Sequence, residues 1–529
     1  MKVNFFPFSS VPQLSKRDVQ FQENPELFKS FLSFPITLEA FGGKMKDRSN
    51  YAVDRSLLVN VIKEQYENAG VANVPTQNIE SLANNETFTV ITAHQPSLLT
   101  GPLYFIYKIL SVINLAEKLN ETYPESHVVP VFIIGSEDHD FEEINHLNLF
   151  GRKIEWENDA RGPVGRMKTD TLDPVLEQVY DILGDSENAE QLKDLIKSSF
   201  KDVDSYNEAV FRMVHQLFHK YNIVLLVTDD KALKSAFVPH IKKEIFERPS
   251  QELIVKTQDA LGDLDLKSQA HAREINFFYL QEGRRDRIEL DGEHYKVLET
   301  DLSFTKDELE TEIENHPDRF SPNVVMRPIY QETILPNLAY LGGGGEIAYW
   351  TERKSQFEAF NVSFPILVRR NSLLFLTKSE TKQMEKYEIS SENLFQTDEE
   401  WVQHYVKLNA GAELEFSKEF DLFNQAFDLL GEKAEGIDKN LAQAIKAGQV
   451  KQFKSFEQLS SRLLRTEKDR HETDIKKIRK LHDKIFPSGS LQERKDNFIP
   501  FYLKYGAEYL DTLKANLDPF NPEFVVISE

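Results

Sequence analysis

Short unbroken apolar runs, each closed by polar residues, organise the middle of the chain. Phe88-Thr89-Val90-Ile91-Thr92 runs into Ala93-His94-Gln95-Pro96, and Val128–Ile134 into Gly135-Ser136-Glu137-Asp138-His139-Asp140. Ile223–Val227 runs into Thr228-Asp229-Asp230, and Pro365–Val368 into Arg369-Arg370-Asn371-Ser372. Runs that are apolar at successive positions, rather than alternate ones, are what a parallel sheet covered by helices on both faces requires. Ligands of such sheets bind beyond the carboxyl ends of the strands, so the polar clusters should line one crevice. After the first run, Ser97-Leu98-Leu99-Thr100-Gly101-Pro102 opens a helix expected to reach about Leu119, with Pro102 suited to its first turn.

The segments between these units are too long for simple crossovers. The pattern predicts an N-terminal, mostly helical segment over 1–85 that packs on the core, with Leu57, Leu58, Val61 and Ile62 at helix spacing. Core segments follow at 86–150, 206–240 and 321–376, separated by insertions at 151–205 and 241–320. In the second insertion, Thr305-Lys306-Asp307-Glu308 is a capping-box pattern that opens a helix. A C-terminal helical domain should fill 377–529. There Phe416, Phe420, Phe423, Phe427, Leu430, Ala434, Ile437, Leu441 and Ala444 recur at steps of four and three, an a/d seam. A second helical stretch carries Phe456, Leu459, Leu463, Ile478, Leu481 and Ile485. The simplest arrangement is an antiparallel coiled coil over about 412–486, turning near Ala447-Gly448-Gln449, with apolar surface left for a homodimer; the alternative is a seam that packs only on its own partner helix. The fold class is thus α/β with a helical C-terminal appendage.

Bulk properties narrow the function. A chain of 529 residues is too long for one core and should form roughly two to four units. Its 40% hydrophobic and 28% charged residues are ordinary for a soluble protein. The longest apolar runs are too short to span a bilayer, and the start, MKVNFFPFSS, has no secretory pattern, so the expected address is the cytoplasm. With no cysteine, disulfides, thiolate metal sites and a cysteine nucleophile are all impossible. A net charge of −23 argues against nucleic acid as a partner. A small anionic substrate can still bind where a few arginines converge.

Three constellations could carry chemistry. His94-Gln95-Pro96, with Thr100, Gly101, Tyr104 and Lys108, joins a strand, a loop and a helix start, where unpaired amides favour an anion. A capped helix with a surface histidine would look the same. Glu137-Asp138-His139-Asp140, with Glu142, Glu143 and His146, puts five carboxylates and two histidines within ten residues. Such a group can bind a cation, orient a ribose or an amine, or move a proton; a solvated acidic loop is the plain alternative. Third, Arg327-Pro328-Ile329-Tyr330-Gln331-Glu332-Thr333 precedes Leu341-Gly342-Gly343-Gly344-Gly345-Glu346-Ile347-Ala348-Tyr349-Trp350. Glycines let backbone approach a ligand, and arginine can clamp a carboxylate or phosphate. His215 and His219 share a helix face but lack a third metal ligand, so a structural role is expected. Arg284, Arg285 and Arg287 read as a solvated loop, with a substrate clamp as the other possibility. No GKS/GKT phosphate loop or GxGxxG fingerprint is present.

Together, HQPSLLTGPLYFIYK, VPVFIIGSEDHDFEEINH and RPIYQETILPNLAYLGGGGEIAYW resemble the bacillithiol biosynthesis cysteine-adding enzymes, a family of cysteine ligases. FPILVRRNS and LQERKDNFIPFYLKYG are also similar, and the resemblance runs in one order along the whole chain. It implies a Rossmann-like parallel-sheet core with two connecting insertions and a C-terminal coiled coil that supports dimerisation. It also implies the joining of L-cysteine to the amine of glucosaminyl-malate. Making that amide from a free carboxylate needs an activated acyl group, so ATP is expected to activate the cysteine carboxylate, with Mg2+ neutralising its phosphates. On that basis His94, Asp138, His139, Arg327 and Glu346 are the catalytic candidates. Gln95, Pro96, Thr100, Gly101, Tyr104, Lys108, Gly343, Gly344 and Arg370 are the nucleotide-site candidates. Glu137, Asp140, Gln331 and Tyr349 are the substrate candidates, and no metal ligand is assigned. The alternatives are a synthetase-like ligase or nucleotidyltransferase for another amine, and a non-enzymatic coiled-coil scaffold.

Overall fold

The computed structural model describes residues 1–410 and 416–529. They form two compact units, one of Met1–Phe375 with Leu491–Ile527, the other of Leu376–Ser490 with the last two residues.

At the centre of the first unit lies a five-stranded sheet made of β1 (Thr87–His94), β2 (His127–Ile134), β3 (Val224–Val227), β4 (Asn337–Gly342) and β5 (Ile366–Arg369). The spatial order is β5-β4-β1-β2-β3, and every pairing is parallel. The chain therefore steps outward from β1 to β2 and β3, then returns to the other side of β1 for β4 and β5. This is the Rossmann layout, and the reversal falls between β1 and β4. A crevice opens at the carboxyl ends of the strands where the order reverses. Register aligns those ends, with His94 opposite Ile134, Ile134 opposite Val227, and Gly342 opposite Arg369.

The strands are apolar at nearly every position because helices cover both faces. Helix α1 (Tyr104–Thr122) is itself buried almost all round, including Phe105, Ile106, Ile109, Leu110, Val112 and Ile113. It starts two residues after Pro102, which lies just outside the helix and not in its first turn. β4 is the strand that the apolar-run pattern does not mark: Asn337-Leu338-Ala339-Tyr340-Leu341-Gly342 is short and merges into the glycines. The glycines themselves are no free turn. Gly342 ends β4, Gly343 caps helix α4 (Gly344–Trp350), and none has a positive φ.

A hairpin, His146–Leu149 with Arg152–Glu155, straddles the expected start of the first insertion at 151, and the helices Asp173–Leu183 and Glu187–Phe200 follow within it. The second follows helix α2 (Lys231–Glu247) and builds a five-stranded sheet whose central strands are Arg284–Asp291, Phe277–Gln281 and His294–Val297. Its capping box at Thr305 and Glu308 is formed. Phe320–Pro322 edges that sheet and leads through Asn323 to α3 (Arg327–Ile334).

Residues 377–529 do not stay together. Leu491–Ile527 folds back onto the first unit, where Asn497 Nδ2 donates to the carbonyls of Leu99 and Gly101. The second unit is helical, with α5 (Ser417–Glu435), α6 (Lys439–Arg470) and α7 (Glu472–Ile485) as its long members. The hairpin turns at Gly436–Asp438, about ten residues before the expected Ala447-Gly448-Gln449. Asp438 caps α6 by accepting from the amides of Asn440 and Leu441, while Gly448 lies mid-helix. The seam closes by aromatic contact, with Phe423 stacked on Phe456 and Phe420 edge-on to Phe456. Leu422, Leu429, Ile437, Leu459 and Leu463 stay exposed. The expected start of the coiled coil near 412 lies outside the described residues.

Candidate functional site

Two cavities open at the carboxyl edge of the sheet. The larger, about 350 Å³, sits at the β1/β4 reversal. Its walls include His94, Gln95, Tyr104, Asp138, Arg327, Gly343, Gly344, Gly345, Glu346 and Arg370. The second, about 270 Å³, is walled by Glu137, Asp138 and His139 from the loop after β2, and by Arg273, Arg285 and Arg287 from the second insertion. Gly135, Asp138, Val324 and Arg327 border both. The three sequence constellations therefore face adjoining spaces of one unit.

His94 ends β1. Its Nδ1 is 2.8 Å from the Gln95 carbonyl, which can only accept, so Nδ1 carries the proton. Nε2 is left with a lone pair, facing the Tyr104 hydroxyl at 3.3 Å. Burial, reinforced by nearby Lys108, lowers the imidazole pKa to about 4. The ring is neutral at physiological pH and serves as a polar wall, not a cation.

Asp138 is fixed from three sides. Oδ2 accepts from Gln95 Nε2 at 2.9 Å, and Oδ1 from the His139 amide at 2.9 Å and Arg285 Nη1 at 3.4 Å. Burial pushes its pKa up, but Arg285, Arg327 and the bonds to Gln95 and His139 outweigh that and hold it below the usual carboxylate range. Arg327, first residue of α3, stands across the border. Burial opposes its charge, and the neighbouring Tyr349 and Asp138 more than restore it. A charged pair thus marks the boundary between the cavities.

Lys108 and Glu346 turn out to be partners. Lys108 lies inside α1, fully buried, and donates to the Ala93 carbonyl and to Glu346 at 2.8 Å. Glu346 also accepts from the Tyr340 hydroxyl at 2.6 Å and the Gly343 amide at 2.9 Å. Burial alone would raise the Glu346 pKa, yet Lys108 and these donors hold it at about 2. Lys108 therefore does not line the cavity as the free cation expected for the anion loop. It anchors the β4–α4 junction from behind.

Arg370 is clamped by Glu493, with Nη2 to Oε1 at 2.8 Å and Nη1 to Oε2 at 3.0 Å. Its Nε is buried with no hydrogen-bond partner among the described residues. A Cβ on Gly343 would stand 3.7 Å from that Nε, whereas one on Gly345 would meet nothing within 4 Å. The glycines keep the floor open beside an orphaned guanidinium N–H. With Arg327, Arg370 and Arg494 on its walls, the cavity has a donor set that fits phosphate or carboxylate.

Several expected contacts fall elsewhere. Thr100 and Gly101 have φ of 70° and 59° and are buried in a loop tied to Asn497, so they support the wall without forming it. Pro96 belongs to the same supporting loop and does not line the cavity. Gln331 is buried within α3, and Asp140 is exposed at the cap of the short helix Phe141–Ile144. Tyr349 lines neither cavity and acts on Arg327. Glu137 is committed to Lys234, which also lies 3.6 Å from Asp229. His215 Nε2 bonds the Ala72 carbonyl, a structural role. Among the described residues no group of three His, Asp or Glu is placed to hold a metal ion.

Other wall residues carried no site assignment beyond the substrate-clamp alternative given for Arg284, Arg285 and Arg287. Arg494 sits in LQERKDNFIPFYLKYG, a segment whose similarity was legible without suggesting a role. Tyr340 was hidden in the unrecognised β4. Arg285 and Arg287 alternate on a strand, so both point to one face; that R-x-R spacing was the available signal.

Residues 1–371 match the family model described as "Bacillithiol biosynthesis BshC, N-terminal Rossmann-like domain", and residues 373–529 match its "C-terminal coiled-coil domain". The chain belongs to the BshC family. A relative from Christiangramia forsetii, named "Putative cysteine ligase BshC", is 40% identical over 513 residues, covering 96% of this chain and 95% of that protein. One of the same name from Flavobacterium johnsoniae is 40% identical over 509 residues, covering 96% of each. As a BshC protein the chain is a ligase. A solved Campylobacter jejuni chain described as a "putative arginyl t-RNA synthetase" covers 84% of this chain and 98% of its own, at 10% identity and a TM-score of 0.21, too low to support any argument. No helix among the described residues is long and apolar enough to cross a membrane.

Proposed function

We propose that the chain joins the carboxyl group of L-cysteine to the amine of glucosaminyl-malate, forming bacillithiol, with ATP as the activating co-substrate. The observation that carries this reading is the border between the cavities. Arg327 and Asp138 give it one fixed positive and one fixed negative group, suited to a carboxylate and an ammonium that must meet. ATP supplies a leaving group: attack of the cysteine carboxylate on the α-phosphorus expels pyrophosphate, and attack of the amine on the resulting acyl carbon expels AMP.

The chain's own residues position and stabilise. Arg327, Arg370 and Arg494 offer guanidinium N–H groups to the charge that builds on phosphate and acyl oxygens. Their orientation is set beforehand, Arg370 by Glu493 and Arg327 by Asp138 and Tyr349. Asp138 holds the incoming ammonium and stays ionised to do so; the ammonium gives one proton to solvent before its lone pair attacks, and the second leaves to solvent or to the departing AMP phosphate as the amide forms. The neutral His94, its Nε2 facing the Tyr104 hydroxyl, accepts a hydrogen bond and takes no charge of its own. Magnesium would enter on the nucleotide phosphates, as it commonly does, and no protein ligand is assigned to it.

The exposed leucines of α5 and α6, with Ile437 in the turn between them, support a homodimer, and the biosynthetic role suits the cytoplasm. The test is direct. Purified full-length protein with L-cysteine, glucosaminyl-malate, ATP and Mg2+ should yield bacillithiol by mass spectrometry, with equal AMP and pyrophosphate. Product formed with ADP and phosphate would overturn the adenylate route. Absence of product, from protein that is folded and binds cysteine, would overturn the reaction.

A further inference from the structure

The second cavity has a charge that the rest of the chain does not lead one to expect. The protein carries 86 acidic against 63 basic residues, yet four arginines face this space: Arg273, Arg285, Arg287 and Arg327. Of its acidic wall residues, Glu137 is already neutralised by Lys234, which leaves Asp138 alone against the four.

The arginines fall into two groups. Arg285 is immobilised at the inner end. Its Nε donates to Ser321 Oγ at 3.0 Å and its Nη1 to His139 Nδ1 at 2.8 Å, while its guanidinium stacks 3.9 Å over the Phe278 ring. Arg327 shares that end, beside the first cavity. Arg273 and Arg287 occupy the outer end, which continues into a third hollow of about 220 Å³. Both are exposed and make no ion pair among the described residues. Pairing fixes this arrangement: Arg287 sits opposite Phe278 across the two strands, and Arg285 opposite Leu280.

Two positive ends separated by a small cavity suit an anion with two charges held apart. A single phosphate would engage one end and leave the other uncompensated. We propose that this cavity is a dicarboxylate-recognition site, and that Arg273 and Arg287 are the specificity residues for an acidic group carried by the amine substrate. This deepens the ligase reading and rests on it for the identity of the amine. Its amine would then point through the shared border, towards Asp138 and the activated carboxyl.

The experiment compares kcat/KM for glucosaminyl-malate with that for methyl glucosaminide, which has the amine but no carboxylates, in the full chain and in Arg273→Ala/Arg287→Ala. Isothermal titration with L-malate, propionate and pyrophosphate runs alongside. The native chain should bind L-malate more tightly than propionate. The double variant should lose that preference, and the ratio of the two kcat/KM values should fall about tenfold or more, or about 1.4 kcal/mol. Arg287→Lys, which keeps charge, should retain part of the ratio. An unchanged ratio in an active double variant overturns the site and leaves the ligase reading standing. If no ligation is seen in any variant, the titration still decides: loss of L-malate binding supports the site while the reaction fails. Loss of pyrophosphate binding with malate binding retained makes this a phosphate site and overturns the proposal.

Discussion

Replacing Lys108 with methionine removes the cation behind the floor of the larger cavity and keeps the side-chain length. Glu346 then sits with most of its carboxylate enclosed, its side chain 27% exposed, and its principal counter-charge gone. In the native protein its pKa is about 2, against an ordinary 4.5. A carboxylate depressed in this way contributes stability that is present above pH 4.5 and lost as pH falls through 2. At about 1.36 kcal/mol per unit, the shift corresponds to about 3 kcal/mol at pH 7. That agrees with the 3–5 kcal/mol typical of breaking a buried pair from one side. Tyr340 and the Gly343 amide still donate, so about 2–3 kcal/mol is expected. Urea unfolding followed by tryptophan fluorescence in a Trp401→Phe background reads the first unit through Trp156 and Trp350, and Trp350 stacks on Tyr340 at 4.4 Å. Adding Glu346→Gln should recover much of the loss, because the stranded charge is gone. A Lys108→Met protein within about 1 kcal/mol of native, equally active, would refute the claim that this pair anchors the β4–α4 junction.

Gly344→Ala would put a Cβ 2.3 Å from Asp18 Cγ, whose carboxylate is paired with Arg369; it should cost about 1–3 kcal/mol in the same assay, while Gly345→Ala costs almost nothing. Glu244 is buried in α2, and burial outweighs its bonds from Ser250 and Asn276 to raise its pKa to about 7. Unfolding releases that proton, so stability should fall by about 3 kcal/mol between pH 4.5 and 7 and then level off. Glu244→Gln should flatten that slope in pH-dependent denaturation. Ile437→Asp with Leu459→Asp, at exposed apolar positions of the helical hairpin, should convert a dimer to a monomer in sedimentation velocity without changing helix content.

The fold was legible where sequence and burial coincide. β1 and β2 are buried at nearly every position because helices cover both faces, and their polar ends mark the site at once. β4 was not legible, since Pro336 and the glycines interrupt a run of only six residues. Yet β4 creates the strand-order reversal on which the cavity depends. The seam of α5 and α6 was legible in its spacing, but spacing alone could not locate the turn. The Asp438 cap does so, and heptad-like apolar positions continue through it. Among site residues, His94, Asp138 and Arg327 end or begin elements at the sheet edge, and their motifs said as much. The Lys108–Glu346 pair joins residues 238 positions apart, so two apparent ligand groups were in fact each other's ligands. Arg284, Arg285 and Arg287 looked like solvated loop because the strand that carries them opens on a run of charged residues, and Arg273 carried no signal of its own.

The most direct measurement is a crystal structure of the full chain with L-cysteine and glucosaminyl-malate bound. The cysteine carboxyl should lie beside Arg327 in the larger cavity, the glucosamine nitrogen beside Asp138, and the two malate carboxylates in the second cavity, one of them against Arg273 and Arg287 and the other toward Arg285. Both substrates bound away from the Asp138–Arg327 border, or on opposite sides of the first unit, would contradict the account.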